Sequence, residues 1–536
     1  MPNVIRTKRA IDEIESGSEA YSSDSECVDT DSDISDAEPE EADYESDTVS
    51  EDEDFVYSYT FRAKNNVEWS TASGDTGKTR TADKMTGVPG VRPHVRGTVA
   101  KLVDAFNVFF TKDMKAIILI HTNVKGKLMF PKSWTELDAI ELDAFLGLLI
   151  LHGVNHESKK PLCQLWNEAK GRPIYNATMS RNRFSEISSA LRFDNKKSRY
   201  LRELTDKLAH IRELFELWVP TLRNSYLPGP YLTIDEQLYS FHGHCKFKQY
   251  IPKKPSKYGL KNFILADSAS KYCCNIQVYT GKSPGAPPER NQGRRVVLDL
   301  VQYLGVDSGR NVTTDNFFTD LELGLELLKR NITLVGTMRK NKPDIPAAFL
   351  PSRERAEFSS LFGFTKEAAL VSYVPKIGKA VILLSTHHRD AAVETTSDKK
   401  PVIITTYNET KAGVDSLDQM VTMYSVKRRT RRWQVILFYD MVDISALNAF
   451  VVWIELNPAW SRAKHRRRLF LESLAEELLE YPMRRRLELK HISATVRGTI
   501  KALLKIPEET GRPMQQILAP PFTGQKRCKV CAKVGE

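Results

Sequence analysis

The sequence predicts a mixed α+β fold in which a central mixed sheet with flanking helices is embedded in helical sequence. Three observations predict it. Helical apolar spacing dominates from Asn107 to Leu227, β-like alternation begins at Tyr231, and basic helical sequence returns beyond residue 425. Because 536 residues are too many for one compact core, we expect several structural units.

The N-terminal segment differs in composition from the rest of the chain. Its first 54 residues carry three basic and twenty acidic side chains, a net charge of −17, whereas the whole chain has a net charge of +10. Sequence this acidic and this poor in apolar groups cannot bury enough surface to offset its ordering entropy. We therefore predict a disordered acidic region over residues 1–90, with order beginning near Val91. The remaining chain is strongly basic, which predicts a polyanionic partner such as nucleic acid.

Two classes of protein are disfavoured. Seven scattered cysteines and the absence of an apolar leader before Arg6 argue against a secreted disulfide protein. The most apolar stretch, Trp433 to Leu456, is interrupted by Asp440, Asp443 and Glu455, and its longest uncharged run is too short to span a bilayer. We predict a buried helix there, and no membrane partner.

From Tyr231 onward, the predicted elements follow the order three strands, helix, strand, helix, strand. The strands are YLTIDEQLYSF, FILADSAS, YCCNIQVYTG, NVTTDNFF and TLVGTMRK, and the two helices are VVLDLVQYL and LELGLELLKR. Residues 341–400 then interrupt this pattern, with a predicted hairpin whose turn spans Lys376 to Lys379. The segment AGVDSLDQMVTMYS begins a further helix.

Four aspartates occupy positions at which this order of elements would bring carboxylates together. Asp235 lies within the first strand, Asp315 ends the fourth, and Asp415 and Asp418 share one face of the helix after the fifth. Singly, each has an ordinary explanation as a satisfied structural aspartate, a turn residue, a helix N-cap or a solvated residue. Together they match the layout of the RNase H-like nuclease and integrase core. Such converging carboxylates favour Mg²⁺ or Mn²⁺ and two-metal phosphodiester cleavage.

Basic groups lie close to these acids in sequence. Trp433 could stack on an unpaired base or begin the apolar helix as a core residue. Lys253, Lys254 and Lys257 could contact phosphates or form a solvated loop. The triplets at residues 466–468 and 484–486 could bind DNA, direct nuclear import, or form solvated helix faces. The candidate DNA-binding residues are Lys253, Lys254, Lys257, Lys427, Arg428, Arg429, Arg431, Arg432 and Trp433.

Several of these runs carry a family resemblance. YLTIDEQL, QYIPKKPSKYGLK, TTDNFFT, LVGTMRKNK, YNETKAGVDSLDQM and RRTRRW resemble the piggyBac transposase family, and the resemblance extends from about Val91 to Leu504. It implies an RNase H-like catalytic core with an insertion domain, set within a helical dimerisation and DNA-binding domain. It also implies that Asp235, Asp315, Asp415 and Asp418 are the catalytic residues and hold Mg²⁺ or Mn²⁺.

The resemblance implies partners as well. These are double-stranded DNA, in the form of transposon terminal repeats and a TTAA target joined through hairpin intermediates, and a second copy of the chain in a homodimer. Neither a membrane nor a small-molecule substrate is expected. We expect the protein to lie in the nucleus.

The C-terminal segment CKVC resembles the first ligand pair of the cysteine-rich zinc module that commonly ends this family. A structural zinc site needs four ligands, and only five residues follow Cys531, so Cys528 and Cys531 give an incomplete site. Zn²⁺ is expected only if a complete module exists. Cys273 and Cys274 lie in a predicted strand, where core packing is the expected role.

These observations predict seven segments. They are the disordered region (1–90), the first part of the helical domain (91–230), the first part of the catalytic core (231–340), the insertion domain (341–400), the last part of the core (401–424), the second part of the helical domain (425–505), and a linker with the start of a truncated zinc module (506–536).

Three interpretations remain open at this point. The chain is an active or recently active transposase, a domesticated DNA-binding or chromatin protein derived from one, or a metal nuclease of an unrelated class. The intact carboxylates favour the first. The RRTRRW and GVDSLDQM contexts argue against the third.

Overall fold

The computed structural model describes residues 59–73, 80–85, 87–282, 289–305, 308–462 and 464–507. Its strands are β1 (Thr60–Arg62), β2 (Glu68–Ser70), β3 (Gly90–Val91), β4 (Tyr226–Leu227), β5 (Tyr231–Ser240), β6 (Gln249–Tyr250), β7 (Tyr258–Asp267), β8 (Cys273–Val278), β9 (Arg310–Thr314), β10 (Ile332–Thr337), β11 (Ser360–Phe364), β12 (Ala369–Lys376) and β13 (Lys379–Ser385).

The helices begin and end as follows: α1 (Pro93–Arg96), α2 (Leu102–Asn107), α3 (Lys112–Met129), α4 (Ala139–Val154), α5 (Leu162–Leu165), α6 (Pro173–Thr178), α7 (Arg181–Ala190), α8 (Lys196–Glu203), α9 (Arg212–Ser225), α10 (Gln292–Val301), α11 (Leu321–Leu328), α12 (Val402–Thr410), α13 (Gly413–Met423), α14 (Trp433–Leu456), α15 (Arg466–Leu487) and α16 (Ala494–Leu503). Side-chain caps fix several starts. Asp138 accepts a hydrogen bond from Glu141 N at 2.8 Å, and Asp320 accepts one from Leu323 N at 2.7 Å.

The centre of the molecule is a mixed sheet with the predicted order of elements. Strand β7 pairs antiparallel with both β5 and β8, β5 pairs in parallel with β9, and β9 pairs in parallel with β10. Parallel neighbours need a crossover connection, and α10 and α11 precede β9 and β10. The predicted mixed α+β fold is therefore confirmed, although β7 starts at Tyr258, before the predicted strand FILADSAS.

The segment between residues 341 and 400 extends this sheet. Its predicted hairpin is present as β12 and β13, and β13 pairs antiparallel with β10 while β11 pairs with β12. The strands of this segment thus continue the same sheet beyond β10. The assignment of residues 341–400 to an insertion domain and the other predicted domain boundaries stay predictions.

The predicted start of order near Val91 is wrong. Residues 59–73 form β1 and β2, and β2 joins β11 through Ser70 and Phe364. Trp69 is fully buried, and its indole N–H donates to Asp344 O at 2.9 Å. Apolar groups that follow the acidic segment supply enough burial to order this hairpin. Residues 1–58, which include most of the predicted disordered region, lie outside the described residues.

Helices from both ends of the chain pack together beside the sheet. Helix α15 packs along α4, and α14 packs against α2 and α13. Helix α14 is long and apolar enough to cross a membrane by composition, but its apolar stretch is entirely buried, as predicted for a core helix. Trp218 of α9 donates from its indole N–H to Ser445 Oγ of α14 at 2.9 Å, so the two sequence-distant helical parts share one core.

Candidate active site

Asp235 and Asp315 lie on neighbouring parallel strands. The register of β5 and β9 pairs Ile234 with Thr314, so the two aspartates occupy the next position on each chain. Strand β9 ends there, because Asp315 turns the chain: its carboxylate accepts from Phe317 N at 3.0 Å and its carbonyl from Thr319 N at 3.2 Å. Asp315 is therefore a strand-end residue and a turn residue at once.

Helix α13 carries Asp415 and Asp418 and is fastened to β5. The hydroxyl of Thr233 donates to Thr410 O at 2.6 Å, just before α13 begins. Gly413 lies directly on Thr233, since a Cβ at this position would come 2.3 Å from Thr233 Oγ1. A larger residue here would push α13 away from the strand, and Asp415 and Asp418 with it.

Three of the four aspartates have raised pKa values, because they are buried and lie near other carboxylates. Burial and the neighbouring charge of Asp315 raise the pKa of Asp235 to about 8. Burial also raises the pKa of Asp315, where Glu236 adds further repulsion, and the pKa of Asp418, where Asp415 does the same. Enclosed carboxylates that repel one another are stabilised by a cation.

The ammonium of Lys254 already lies near these carboxylates. Lys254 Nζ donates to Glu236 O at 3.1 Å and lies 3.5 Å from an oxygen of Asp415. Burial opposes its charge, but Asp235 and Asp415 together with Glu236 raise the pKa of Lys254. The turn after β6, closed by Ile251 N donating to Lys257 O at 2.7 Å, carries Lys254 back to the acids. The predicted contact of Lys254 with DNA stays a prediction.

The donor set fits a hard divalent cation, since carboxylate oxygens are the ligands that Mg²⁺ and Mn²⁺ prefer. Within the described ranges, no three carboxylate, imidazole or thiolate side chains already converge closely enough to hold a metal. Asp415 is the outlying member, with a side chain 66% exposed. Binding of a divalent cation would therefore require the aspartate side chains to rotate, and Asp415 would have to break its contact with Lys254.

Three residues for which the sequence predicted no role also lie near the aspartates. Glu236 points to the opposite face of β5, where it pairs with Lys261 at 2.5 Å. Gln237, two residues after Asp235 on β5, is fully buried. Tyr407 of α12 faces the acids, and burial together with the charge of Asp315 raises the pKa of Tyr407. Glu236 and Gln237 belong to the TIDEQ run, so their polarity inside a buried strand was the available signal.

Comparisons with known proteins identify the family of this chain. A family profile described as Transposase IS4 matches residues 102–450. The chain is also similar to a solved structure, the cryo-EM structure of the piggyBac transposase synaptic complex with hairpin DNA. The match has a TM-score of 0.74 and 33% identity, and covers 80% of this chain and 89% of that chain. The chain belongs to the piggyBac transposase family.

Two human relatives within this piggyBac group are more distant. PiggyBac transposable element-derived protein 3 is 24% identical over 314 residues, which are 55% of this chain and 52% of the relative. PiggyBac transposable element-derived protein 2 is 24% identical over 382 residues, which are 67% of this chain and 60% of the relative. The chain thus spans between half and two thirds of the length of these curated relatives.

The basic run that follows α13, from Lys427 to Trp433, contains residues that bind other parts of this piggyBac family member and residues that are exposed. Arg428 donates to Lys160 O at 2.9 Å, and Arg432 donates to Leu191 O at 3.0 Å and Ser189 O at 3.1 Å. Both arginines therefore hold the loop against the N-terminal helices. Arg429 and Arg431 are exposed, as are Lys253 and Lys257 in the loop after β6. These four remain predicted DNA contacts.

The remaining members of the run face the protein interior. Lys427 donates to Ser240 O, with its ammonium over the ring of Tyr239. Trp433 packs against Phe247 and His210, with ring centroids 5.0 and 5.1 Å away. The structure thus places Trp433 on the core, as the packing alternative expected.

The two helical arginine triplets also make internal contacts. Arg467 donates to Met420 O at the end of α13, Arg485 pairs with Asp138, and Arg486 donates to Asn176 O. The zinc candidates Cys528 and Cys531 lie outside the described residues. Cys273 and Cys274 are buried in β8, consistent with core packing.

Proposed function

We propose that this chain is a metal-dependent transposase that cuts and rejoins double-stranded DNA at the site formed by Asp235, Asp315, Asp415 and Asp418. The observation that carries the proposal is the side-by-side position of Asp235 and Asp315, with α13 fastened to the same strand through Thr233 and Gly413. Family membership supports the reaction class. The similar solved structure is a synaptic complex with hairpin DNA, which supports DNA as the substrate.

We further infer that β5, β7, β8, β9 and β10 form an RNase H-like catalytic core. The order of these strands supports this inference, because the third, second, first, fourth and fifth strands lie side by side, with only the second antiparallel to its neighbours. In this order the first and fourth strands are adjacent, which brings Asp235 and Asp315 together.

The residues divide the chemistry between them. The four aspartates would hold Mg²⁺ or Mn²⁺, which when bound activates the attacking oxygen and stabilises the leaving oxygen of an in-line transfer. Lys254, released from Asp415, would place its ammonium near the scissile phosphate. Arg429 and Arg431, exposed in the loop after α13, would hold neighbouring phosphates.

The wider setting follows from the same proposal. Two transposon ends must be held together, so we propose a homodimer acting on terminal repeats and a TTAA target through hairpin intermediates. Because the substrate would be chromosomal DNA, we place the protein in the nucleus. Cys528 and Cys531 would contribute to a zinc site only as part of a complete module.

A cleavage assay tests the proposal. A supercoiled plasmid carrying the sequences that flank this coding region is incubated with the wild type, with Asp315→Asn, and with a control variant, Asp398→Asn. Asp398 is not one of the four aspartates, and it pairs with Lys400. We expect Mg²⁺-dependent nicking by the wild type and the control, and none by Asp315→Asn. Retarded but uncut plasmid with the wild type would favour the domesticated DNA-binding alternative.

A further inference from the structure

Helix α14 is strongly apolar, yet it buries two aspartates that face the sheet. Asp440 and Asp443 lie three residues apart on one face of the helix, 1% and 4% exposed. A buried carboxylate costs free energy unless hydrogen bonds compensate it, so each needs its own explanation.

The role of Asp443 is structural. It accepts hydrogen bonds from Tyr239 Oη at 2.8 Å, Ser425 Oγ at 2.6 Å and Val426 N at 2.8 Å. These three donors satisfy the carboxylate and fasten the chain that leaves α13.

Asp440 makes a different set of contacts. Its Oδ2 accepts from Asn262 Nδ2 at 2.7 Å, and Asn262 Nδ2 also donates to Gln237 Oε1 at 3.0 Å. Asp440 Oδ1 and Gln237 Nε2 are buried and form no well-aligned hydrogen bond with the residues that the structure describes. The amide group of Gln237 lies next to the carboxylates of both Asp440 and Asp418.

This chain of contacts fixes the direction of one amide. Because Asn262 donates to the oxygen of Gln237, the Gln237 NH₂ group must point the other way, toward the carboxylates. Asn262 holds that orientation only while its own NH₂ group is bound by Asp440. If the Asn262 amide turned over, Gln237 could turn with it and present a carbonyl oxygen to Asp418, which would repel the carboxylate.

We propose that Asp440 is a positioning residue for the candidate active site: through Asn262 it orients Gln237, and Gln237 sets the orientation of the Asp418 carboxylate. The inference rests on the proposed function, because it takes Asp418 as a metal ligand. Polar groups behind metal ligands commonly act this way, and their loss weakens metal binding about 10–100-fold.

The test is Mn²⁺ binding without DNA, followed by electron paramagnetic resonance, together with thermal unfolding. Asp440→Leu removes the acceptor while keeping the branching and the number of side-chain heavy atoms, and Asp440→Asn keeps an acceptor. The matched control is Asn448→Leu on the same helix. Asn448 is equally buried, and it bonds Cys273 N and Cys273 O of β8 at 2.9 Å.

We expect Asp440→Leu to bind Mn²⁺ about tenfold more weakly, Asp440→Asn to bind nearly as the wild type, and Asn448→Leu to lose thermal stability without losing Mn²⁺ affinity. Wild-type affinity in Asp440→Leu, or an equal loss in Asn448→Leu, would overturn the inference. Should Asp440→Leu fail to fold, Gln237→Met is expected to show the same loss of affinity, and wild-type affinity there would overturn it as well. If the wild type itself binds no Mn²⁺, it is the proposed function that fails.

Discussion

Asp235 and Asp315 stand one position beyond the last paired residues of two parallel strands, Ile234 on β5 and Thr314 on β9. Parallel pairing places successive residues of both strands level with each other, so the register holds the backbones of the two aspartates side by side. Burial and this neighbour raise the pKa of Asp235 to about 8. The folded protein therefore holds a proton there that the unfolded chain releases at much lower pH.

Asp235→Asn should stabilise the metal-free protein in a pH-dependent way. An unfolded aspartate titrates near about 3.9, so between this value and the folded pKa of about 8 the native state binds more protons, and its stability falls as the pH rises. Asparagine resembles the protonated acid and avoids this loss. We expect the Tm of the variant to exceed that of the wild type by a few degrees at pH 8, with no gain at pH 4. An equal Tm at pH 8 would contradict the raised pKa.

Divalent metal should stabilise the wild type more strongly at high pH. Carboxylates must lose their protons to bind metal, so a raised pKa of Asp235 makes Mn²⁺ compete with protons below pH 8. We expect the rise in Tm caused by Mn²⁺ to be larger at pH 8 than at pH 6, and absent in the double variant Asp235→Asn, Asp315→Asn. A rise of the same size at both pH values would place the ion elsewhere.

Lys254→Met should change metal binding and DNA cleavage in opposite directions. The ammonium lies beside Asp415 and repels incoming cations, so its removal should increase Mn²⁺ affinity severalfold without DNA while lowering the cleavage rate. Lys257→Met, in the same loop but exposed, serves as the control and should leave Mn²⁺ affinity unchanged. Unchanged Mn²⁺ affinity in Lys254→Met would return Lys254 to the role of a simple phosphate contact.

The arginines after α13 should separate by phenotype. Arg429→Ala and Arg431→Ala remove exposed charges, so we expect weaker DNA binding and a slope of log affinity against log salt that is smaller by about 0.9 for each phosphate that is no longer neutralised. Arg432→Ala leaves helix carbonyls without their donor and should cost about 1–3 kcal/mol of stability. Salt-dependent binding and thermal unfolding of all three variants measure the difference. A stable Arg432→Ala with reduced salt dependence would assign Arg432 to DNA instead.

Local patterns predicted the elements that carry the acids. The alternation in YLTIDEQLYSF and the turn after TTD placed Asp235 and Asp315 on strands, and the three-residue spacing placed Asp415 and Asp418 on one helix face. These signals are local in sequence. The pairing of β5 with β9 is not local, because β9 follows β8 in the chain yet β7 and β5 lie between them in the sheet. The start of order was missed, because the acidic composition of residues 1–54 concealed the short strands that bury Trp69.

Contacts between distant segments could not be predicted. The loop after β6 turns Lys254 back to the acids, and the segments near residues 160 and 190 supply the carbonyls that bind Arg428 and Arg432. The charge of Asp440 was visible in the sequence only as an interruption of an apolar run. Its partner Asn262 lies 178 residues away, and only tertiary packing brings them together.

DNA cleavage by Asp315→Cys in Mg²⁺ and in Mn²⁺ tests whether Asp315 holds the catalytic metal. A thiolate is a poor ligand for Mg²⁺ but is better tolerated by the softer Mn²⁺. If Asp315 binds the catalytic metal, the variant should lose cleavage in Mg²⁺ and recover it in Mn²⁺, while the wild type cuts in both. Cleavage by the variant at the wild-type rate in Mg²⁺ would contradict the assignment of these aspartates as the metal site.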